Sequence, residues 1–447
     1  MADNTEKING KNEPQSSGMI KFKFILFGVA SLLAWNAIIT ELNFFNEFIK
    51  QLDPFRTISF LNFAPNIILQ FILLYKKNLF KIENQLIFGL IASILLLMVI
   101  PMSVILLEKQ KVLNMIVTIT LFLIMGLINA LMSSGFFAFT SFFPLEMIIS
   151  LSTGQGFAGI ILNIIKYIII PTIKMDAKKK EILTGVIFFS LSAFILIVCL
   201  IIFIFSLKTD YFYYYLNQKN SSKISRLVDD DAERTNENND ESERLTDYNL
   251  DLSPKISFFG MFKLLYDINL LCVFIYIVTF ALYPISIQKL QLFSIKESDY
   301  NLNTILTIYN CFDTFGRYLV SKVTPTKKLA YFSSLIRAIF LVTFILNNYF
   351  QERYSKIFTS LFLIFNVVFF ALTNGIATTL CFGIAPTLVN DELKGQAGAS
   401  VSFFTILGIF LGACCAFLTS IILNKVQKPL PKDSLSVNSY YPYLPLL

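Results

Sequence analysis

Long apolar stretches alternate with short polar ones along most of the chain. An α-helix needs about 20 mostly apolar residues to cross a bilayer, and we find eleven stretches of roughly that length. We therefore predict an all-α polytopic membrane protein with eleven transmembrane helices. The approximate bounds of these stretches are 22–40, 58–75, 84–107, 113–140, 145–172, 182–207, 260–288, 302–321, 328–348, 357–385 and 396–423.

Polar segments frame this pattern and divide it into six helices plus five. Ten acidic residues fall between positions 229 and 251, with almost no large apolar residues among them. Such a segment cannot bury a core, so we predict that it is disordered. The predicted organisation is an N-terminal tail at 1–21, helices 1–6 at 22–207, a disordered acidic loop at 208–257, helices 7–11 at 258–423 and a C-terminal tail at 424–447.

The composition supports a membrane protein. Hydrophobic residues make up 55% of the chain and charged residues 15%, whereas soluble domains carry about 25% charged residues. The net charge of +7 comes from short connecting segments, which favours contact with anionic lipid headgroups over nucleic acid. The chain has no histidine, and its six cysteines lie in apolar runs. We predict no enzymatic activity, no metal and no cofactor.

The lysine distribution predicts the orientation in the membrane. Cytosolic loops carry an excess of Lys and Arg. The lysines that favour a cytosolic N-terminus are Lys21, Lys23, Lys76, Lys77, Lys81, Lys322, Lys327 and Lys328. Lys174 and its neighbours at 178–180 argue the other way. We expect the N-terminus in the cytosol and, after an odd number of helices, the C-terminus outside.

The stretch YNCFDTFGRYLV, from Tyr309 to Val320, places two charges inside an apolar run. A charge at the bilayer centre costs about 2.5–3.5 kcal/mol on insertion scales, so it usually faces a cavity or a partner. Asp313 and Arg317 are four residues apart and share one helix face, and Asn310 lies one turn earlier. Such a pair suits a neutral permeant rich in hydroxyls and ring nitrogens. The alternative is a pair that only fixes helix packing.

We single out four other charged residues in the interior of the runs. Glu146 and Asp267 are near helix starts, where a carboxylate suits the positive end of the helix dipole. Lys166 is close to the end of its run, and we expect it to extend toward the membrane interface. Arg337 is nearer mid-span, and both packing and gating are open for it.

Stripes of small residues mark two of the runs. Small residues let helices approach closely in lipid, so we predict packing or gating roles for them and for the amide they surround. The residues are Gly154, Gln155, Gly156, Gly159, Gly408 and Gly412.

Trp35 is the only tryptophan in the chain. Tryptophan usually marks the membrane interface, but this one lies past mid-span in the first run, beside Asn36. We predict that the two residues form a gate or a wall of a binding site.

In this order, these pieces resemble the equilibrative nucleoside transporter family. The resemblance covers the whole membrane part and rests on the order and spacing of the pieces. The pieces are AWN at 34–36, FP at 143–144, STGQGFAG at 152–159, NCFDTFGR at 310–317, LIRAIF at 335–340, TNGIATTL at 373–380 (which contains Asn374), AP at 385–386 and QAGASVSFFTILGIFLGA at 396–413.

The resemblance implies a fold related to the major facilitator bundle, alternating access, and a nucleoside or nucleobase permeant. It implies that Asp313 and Arg317 contact the permeant's hydroxyls or base edge, with Trp35 near the outer end of the site. Asn374 joins the packing or gating residues. The candidate substrate-binding residues are Trp35, Asn36, Ser133, Asn310, Asp313 and Arg317.

Three departures indicate a divergent, protist-like member, one of which is that Leu393 and Gly395 stand in place of an acidic element before the last helix, although Asp391 and Glu392 are close. Ala34 replaces the proline of the first-helix motif. Ser133 stands where the family often has a glutamine, eleven residues before Pro144. A hydroxyl reaches less far than a carboxamide, so the base preference need not follow the family's.

We interpret the protein as a facilitative carrier of nucleosides or nucleobases, with purines favoured. An acid paired with a guanidinium is a poor proton carrier, which favours uniport. Open alternatives are a proton-coupled symporter, a facilitator for another small polar solute, and a membrane receptor or enzyme. We expect a monomer in the plasma membrane whose partners are its permeant and lipids, with no nucleic acid.

Overall fold

The structure is a computed structural model that describes residues 14–49, 54–76, 80–172, 177–216, 258–282, 292 and 298–426. The described part is all-α, as predicted. Its α-helices, in chain order, are α1 (Gly18–Thr40), α2 (Leu42–Phe48), α3 (Pro54–Tyr75), α4 (Ile82–Leu106), α5 (Lys111–Thr140), α6 (Leu145–Thr172), α7 (Ala177–Leu207), α8 (Phe258–Leu264), α9 (Tyr266–Leu282), α10 (Ser298–Leu319), α11 (Lys327–Leu335), α12 (Ile339–Arg353), α13 (Lys356–Ile384) and α14 (Lys394–Val426).

Nine helical segments of the described chain are long and apolar enough to span a membrane. Helix α9 is apolar but has only 17 residues. Helix α10 has 22 residues, but a face of Asn, Thr, Asp and Arg side chains makes it more polar than a lipid-facing helix. Both coincide with predicted runs. The polytopic helical fold is confirmed, while the count of eleven spans stays a prediction.

Two boundaries differ in detail from the sequence pattern. Helix α1 begins at Gly18, because the hydroxyl of Ser17 accepts a hydrogen bond from the Ile20 amide and caps the helix. After α7, residues 210–216 are also helical, with Phe212 buried, although the pattern puts them in the acidic loop. The rest of that loop, 217–257, and the tail residues 1–13 and 427–447 lie outside the described residues.

The run predicted at 328–348 is not a continuous α-helix. Helices α11 and α12 are joined by a short 3₁₀ segment, Ile336–Ala338, with Arg337 at its centre. A 3₁₀ turn inside a helix often marks a functional hinge or local strain.

Helices α1–α7 form one half of the molecule and α8–α14 the other. In the first half α1 packs most extensively on α6; in the second, α9 packs on α14 and α10 on α13. The halves meet where α6 packs on α10 and where α3 and α5 pack on α14. These contacts bring the polar face of α10 to the boundary between the halves.

Candidate functional site

A cavity of about 150 Å³ lies between the two halves. Helices α1, α3, α5 and α6 supply its walls from the first half, and α9, α10, α13 and α14 from the second. The structure brings together in this cavity all of the candidate substrate-binding residues, namely Trp35, Asn36, Ser133, Asn310, Asp313 and Arg317. Their role in binding stays a prediction.

Arg317 connects the two halves. Its Nε donates to Oδ2 of Asp313 over 2.7 Å, and both residues are only 5% exposed. Its Nη1 donates across the interface to the hydroxyl of Ser152 (2.9 Å) and to Oε1 of Gln155 (3.2 Å). The amide nitrogen of Gln155 in turn donates to the hydroxyl of Ser31 over 3.2 Å. The ion pair is therefore buried and satisfied on both sides.

The second carboxylate oxygen of Asp313 is held by the second half alone. Nδ2 of Asn374 donates to Oδ1 of Asp313 over 2.7 Å, and the hydroxyl of Thr279 lies 2.8 Å from Oδ1 of Asn374. Each carboxylate oxygen thus accepts one fixed hydrogen bond. Since a carboxylate has about four acceptor positions, it keeps capacity for hydroxyls of a ligand in the cavity.

Arg337 is fully buried behind this carboxylate and does not line the cavity. Its guanidinium donates to the carbonyl oxygen of Phe370 (2.8 Å) and to the hydroxyls of Thr373 (3.0 Å) and Thr279 (2.7 Å). It also lies 4.8 Å from the Phe370 ring centroid. Among the described acidic residues none is within ion-pair distance of it. Thr279 and Asn374 lie between Arg337 and Asp313, with the single hydrogen of the Thr279 hydroxyl shared between Oδ1 of Asn374 (2.8 Å) and the carbonyl oxygen of Ile275 (2.7 Å).

Arg337→Lys should lower uptake about tenfold with little change in surface protein. A lysine keeps the charge but cannot reach Phe370, Thr373 and Thr279 at once, and one lost hydrogen bond to a charged group is worth about 1.5–3 kcal/mol. Initial uptake rates normalised to surface-labelled protein measure the effect. The matched control is Arg353→Lys at the exposed end of α12, which should transport like wild type. Equal rates in both variants would show that transport does not depend on the contacts of Arg337 with Thr279 and, through it, with Asn374.

The first half contributes a set of carboxamides that the sequence analysis missed. Asn62, Asn66 and Asn129 line the cavity, and Gln70 lies behind them, fully buried. Nδ2 of Asn129 donates to Oδ1 of Asn62 over 2.8 Å. A signal for them exists in the sequence: positions 62, 66 and 70 repeat every four residues, which places three amides on one face of α3.

Aromatic rings lie toward both ends of the cavity. Trp35 packs edge-on against Phe63 with centroids 4.7 Å apart, and Phe63 contacts Phe280. Phe137 and Phe382 lie near the C-terminal ends of α5 and α13, on the side of the bundle where α1 begins. Their ring centroids are 4.0 Å apart. Trp35 is thus a wall at the opposite end of the cavity from the Phe137–Phe382 pair.

The predicted packing glycines lie at close helix contacts. An added methyl at Gly154 would overlap the carbonyl of Ile25 in α1, and one at Gly156 would overlap Thr314 in α10. The same holds for Gly159 against Asn310. In α14, methyls at positions 408 and 412 would lie 2.7 and 2.9 Å from carbonyl oxygens of α9.

Two residues predicted only for packing or gating belong to the polar lining. Gln155 and Asn374 both line the cavity, where they hold Arg317 and Asp313. Their amides needed partners in an apolar setting, and the partners are the two charges.

Glu146 and Asp267 lie away from the cavity, in ion pairs at helix ends. The Glu146 carboxylate is 2.8 Å from the Lys21 ammonium, and the Asp267 carboxylate is 2.7 Å from the Lys327 ammonium. Each pair joins helices of one half only, so neither pair locks the halves together.

The expectation that Lys166 extends to the membrane interface is wrong. Its side chain is buried, and its ammonium donates to the carbonyl oxygen of Thr40 and lies 3.6 Å from the Glu41 carboxylate. The end of α1 supplies both acceptors inside the protein, a tertiary contact that the sequence around Lys166 does not indicate.

Comparison with protein families gives one match that spans most of the chain. The family model described as "Nucleoside transporter" matches residues 116–421. Equilibrative nucleoside transporter 1 of Homo sapiens is 22% identical over 348 residues, which cover 74% of this chain and 75% of that protein. Equilibrative nucleotide transporter 4 of Arabidopsis thaliana is 23% identical over 401 residues, which cover 88% of this chain and 92% of that protein.

Solved structures support the same architecture. A proton:xylose symporter of the major facilitator superfamily, from E. coli, aligns with a TM-score of 0.62 at 12% identity and covers 91% of this chain and 95% of the symporter. At this identity the likeness concerns the fold alone. The predicted major-facilitator-like bundle is confirmed.

Proposed function

This chain belongs to the nucleoside transporter family, and we propose that it moves nucleosides or nucleobases, purines favoured, down their gradient by alternating access. It is an integral membrane transport protein and not an enzyme. The six candidate substrate-binding residues come from three helices that lie far apart in the sequence, yet they line one cavity between the halves. This observation carries the proposal.

The polar groups of the cavity suit a ligand with a sugar and a base. Asp313 accepts and Arg317 donates, so the pair can bind vicinal hydroxyls or a base edge that offers both functions. Trp35, Phe63, Tyr276 and Phe280 supply ring surfaces in the same cavity. A heterocycle can stack on such surfaces while its polar edge meets the charges.

The position of the site between two halves supports alternating access. Carriers of this architecture bind substrate near the middle of the bilayer and expose the site by rocking one bundle against the other. Here Arg317 of α10 reaches Ser152 and Gln155 of α6. A permeant that competes for Arg317 would weaken this contact between the halves and so favour their movement.

The arrangement of helix ends supports a cytosolic N-terminus. Lys21, Lys81 and Lys327 lie at the starts of α1, α4 and α11, which an up-and-down path puts on one face. A positive face is typical of the cytosolic side. We propose that the protein works as a monomer in the plasma membrane, with its C-terminus outside.

The proposal is tested by uptake in a purine-auxotrophic host that expresses the chain. The radiolabelled compounds are inosine, adenosine, hypoxanthine and uridine. We expect saturable uptake, cross-competition among these compounds and no competition by xylose or amino acids. Competition by a sugar, with none by nucleosides or nucleobases, would show that the permeant is a sugar.

Uptake should not rise, and no inward current should appear, when the outer medium is acidified, because Asp313 is tied to Arg317. A permeant-dependent current that grows with acidity would establish proton symport instead.

A further inference from the structure

The carboxamides of the first half face the charged pair across the cavity, and the direction of their hydrogen bonds can be fixed. Gln70 donates through Nε2 to Oδ1 of Asn66 and to the hydroxyl of Ser133, both over 2.8 Å. The Ser133 hydroxyl donates to the carbonyl oxygen of Asn129 over 2.8 Å. Gln70 is 0% exposed and Asn66 1% exposed.

A backbone carbonyl can only accept, so the bond from Ser133 to the Asn129 carbonyl sets the direction of the two bonds made by Gln70, and it leaves Oε1 of Gln70 buried without a partner among the described residues. Because the single hydroxyl hydrogen of Ser133 goes to that carbonyl, Ser133 must accept from Gln70. Gln70 therefore turns its nitrogen toward Ser133 and, with the second hydrogen, toward Asn66. The atom of Asn66 next to Gln70 must then be its oxygen. The Nδ2 group of Asn66 has no partner among the described residues and is left to donate into the cavity that Asn66 lines.

We propose that Asn66, held in this orientation by Gln70 and Ser133, is a specificity-determining residue that selects permeants with an oxo group over those with an amino group on the base. This inference rests on the proposed function and names the substrate class of the same cavity. An exocyclic oxygen accepts from Nδ2 of Asn66. An exocyclic amino group presents hydrogens to it instead, and the two donors are left unpaired in a buried site.

Inosine and adenosine separate the two cases, since they differ in the exocyclic oxygen or amino group and in the protonation of one ring nitrogen. A site built to bond one polar group discriminates strongly against an analogue that lacks it. We expect the wild-type carrier to favour inosine over adenosine by about tenfold in the ratio of maximal rate to half-saturating concentration, which corresponds to one unsatisfied buried donor. Ser133 and Gln70 are positioning residues in this arrangement.

Gln70→Glu should reverse the preference without touching the permeant. The introduced carboxylate can only accept, so Asn66 turns its Nδ2 group toward position 70 and presents Oδ1 to the cavity. An amino group is then favoured, and adenosine should be transported better than inosine. Asn66→Ala removes the group altogether, and the ratio should fall toward one with adenosine uptake retained.

The control for a buried charge is Gln85→Glu. Gln85 is a buried amide of α4 that donates to the carbonyl oxygen of Leu131 and does not line the cavity, so its inosine-to-adenosine ratio should equal that of wild type. If Gln70→Glu fails to reach the membrane, Asn66→Ala decides. A wild-type preference for adenosine, or an unchanged ratio in Asn66→Ala, overturns the inference. A wild type that transports neither compound overturns the proposed function instead.

Discussion

Asp313→Asn should reduce nucleoside uptake at least about 30-fold while the protein still reaches the membrane. The substitution keeps the shape of the side chain but removes its charge. Loss of one partner of a buried, hydrogen-bonded charge pair costs about 2–5 kcal/mol, and each 1.4 kcal/mol is about a factor of ten. Arg317 would keep its contacts to Ser152 and Gln155 but lose the carboxylate that directs its Nε.

The guanidinium side of the pair should behave in the same way. Arg317→Lys keeps a positive charge but cannot reach Asp313, Ser152 and Gln155 together, because an ammonium on a flexible stem lacks the planar fork of arginine. We expect a comparable loss of uptake. Arg317→Ala leaves Asp313 as an unpaired buried charge and should also reduce the amount of folded protein.

The matched control is Asp267→Asn. Asp267 also lies in an ion pair, 2.7 Å from Lys327, but at a helix end away from the cavity. A partly exposed ion pair contributes about 0–1 kcal/mol, so uptake per surface-labelled molecule should stay close to wild type. Full uptake in both Asp313→Asn and Arg317→Lys would show that the pair serves packing and not transport.

Gly154→Val should abolish the folded protein and not only its activity. Gly154 packs directly on the backbone of Ile25, and its own neighbour across the contact is Gly28 of α1. Backbone atoms cannot move aside like a flexible side chain, so α1 and α6 would have to separate. Since overpacking of a well-packed interior costs about 1–3 kcal/mol and at times more, we expect little surface protein and early elution or aggregation in detergent chromatography.

Gly18→Val is the matched control for this change. Gly18 begins α1, and an added methyl there meets nothing within 4 Å. The variant carries the same branched side chain in the same helix, and its surface level and thermal stability in detergent should match wild type. Normal folding of Gly154→Val would show that α1 and α6 tolerate a wider spacing than this structure gives them.

The sequence by itself determined the fold class and the central pair of the site. Apolar runs long enough to span a bilayer allow little except a helical bundle, since every backbone polar group must be satisfied within its own segment. Asp313 and Arg317 could be paired from their spacing alone, because residues four apart share a helix face. Trp35 is indicated as a site residue by its position past mid-span, since it is the only tryptophan. Ser133 is indicated by the family resemblance.

Only the tertiary structure decided which helices bring partners to these residues. The sequence around Lys166 indicates a route to the interface, but Thr40 and Glu41 meet it from α1. The sequence predicts packing or gating roles for Gln155 and Asn374, but in the structure they form hydrogen bonds with Arg317 and Asp313. The direction of the Asn66 amide depends on Gln70 and on Ser133, which is 63 residues from Gln70. Local sequence sets the face on which a side chain lies, while the helix that it faces, and hence its charge and hydrogen-bonding partners, follows from the packing of the whole bundle.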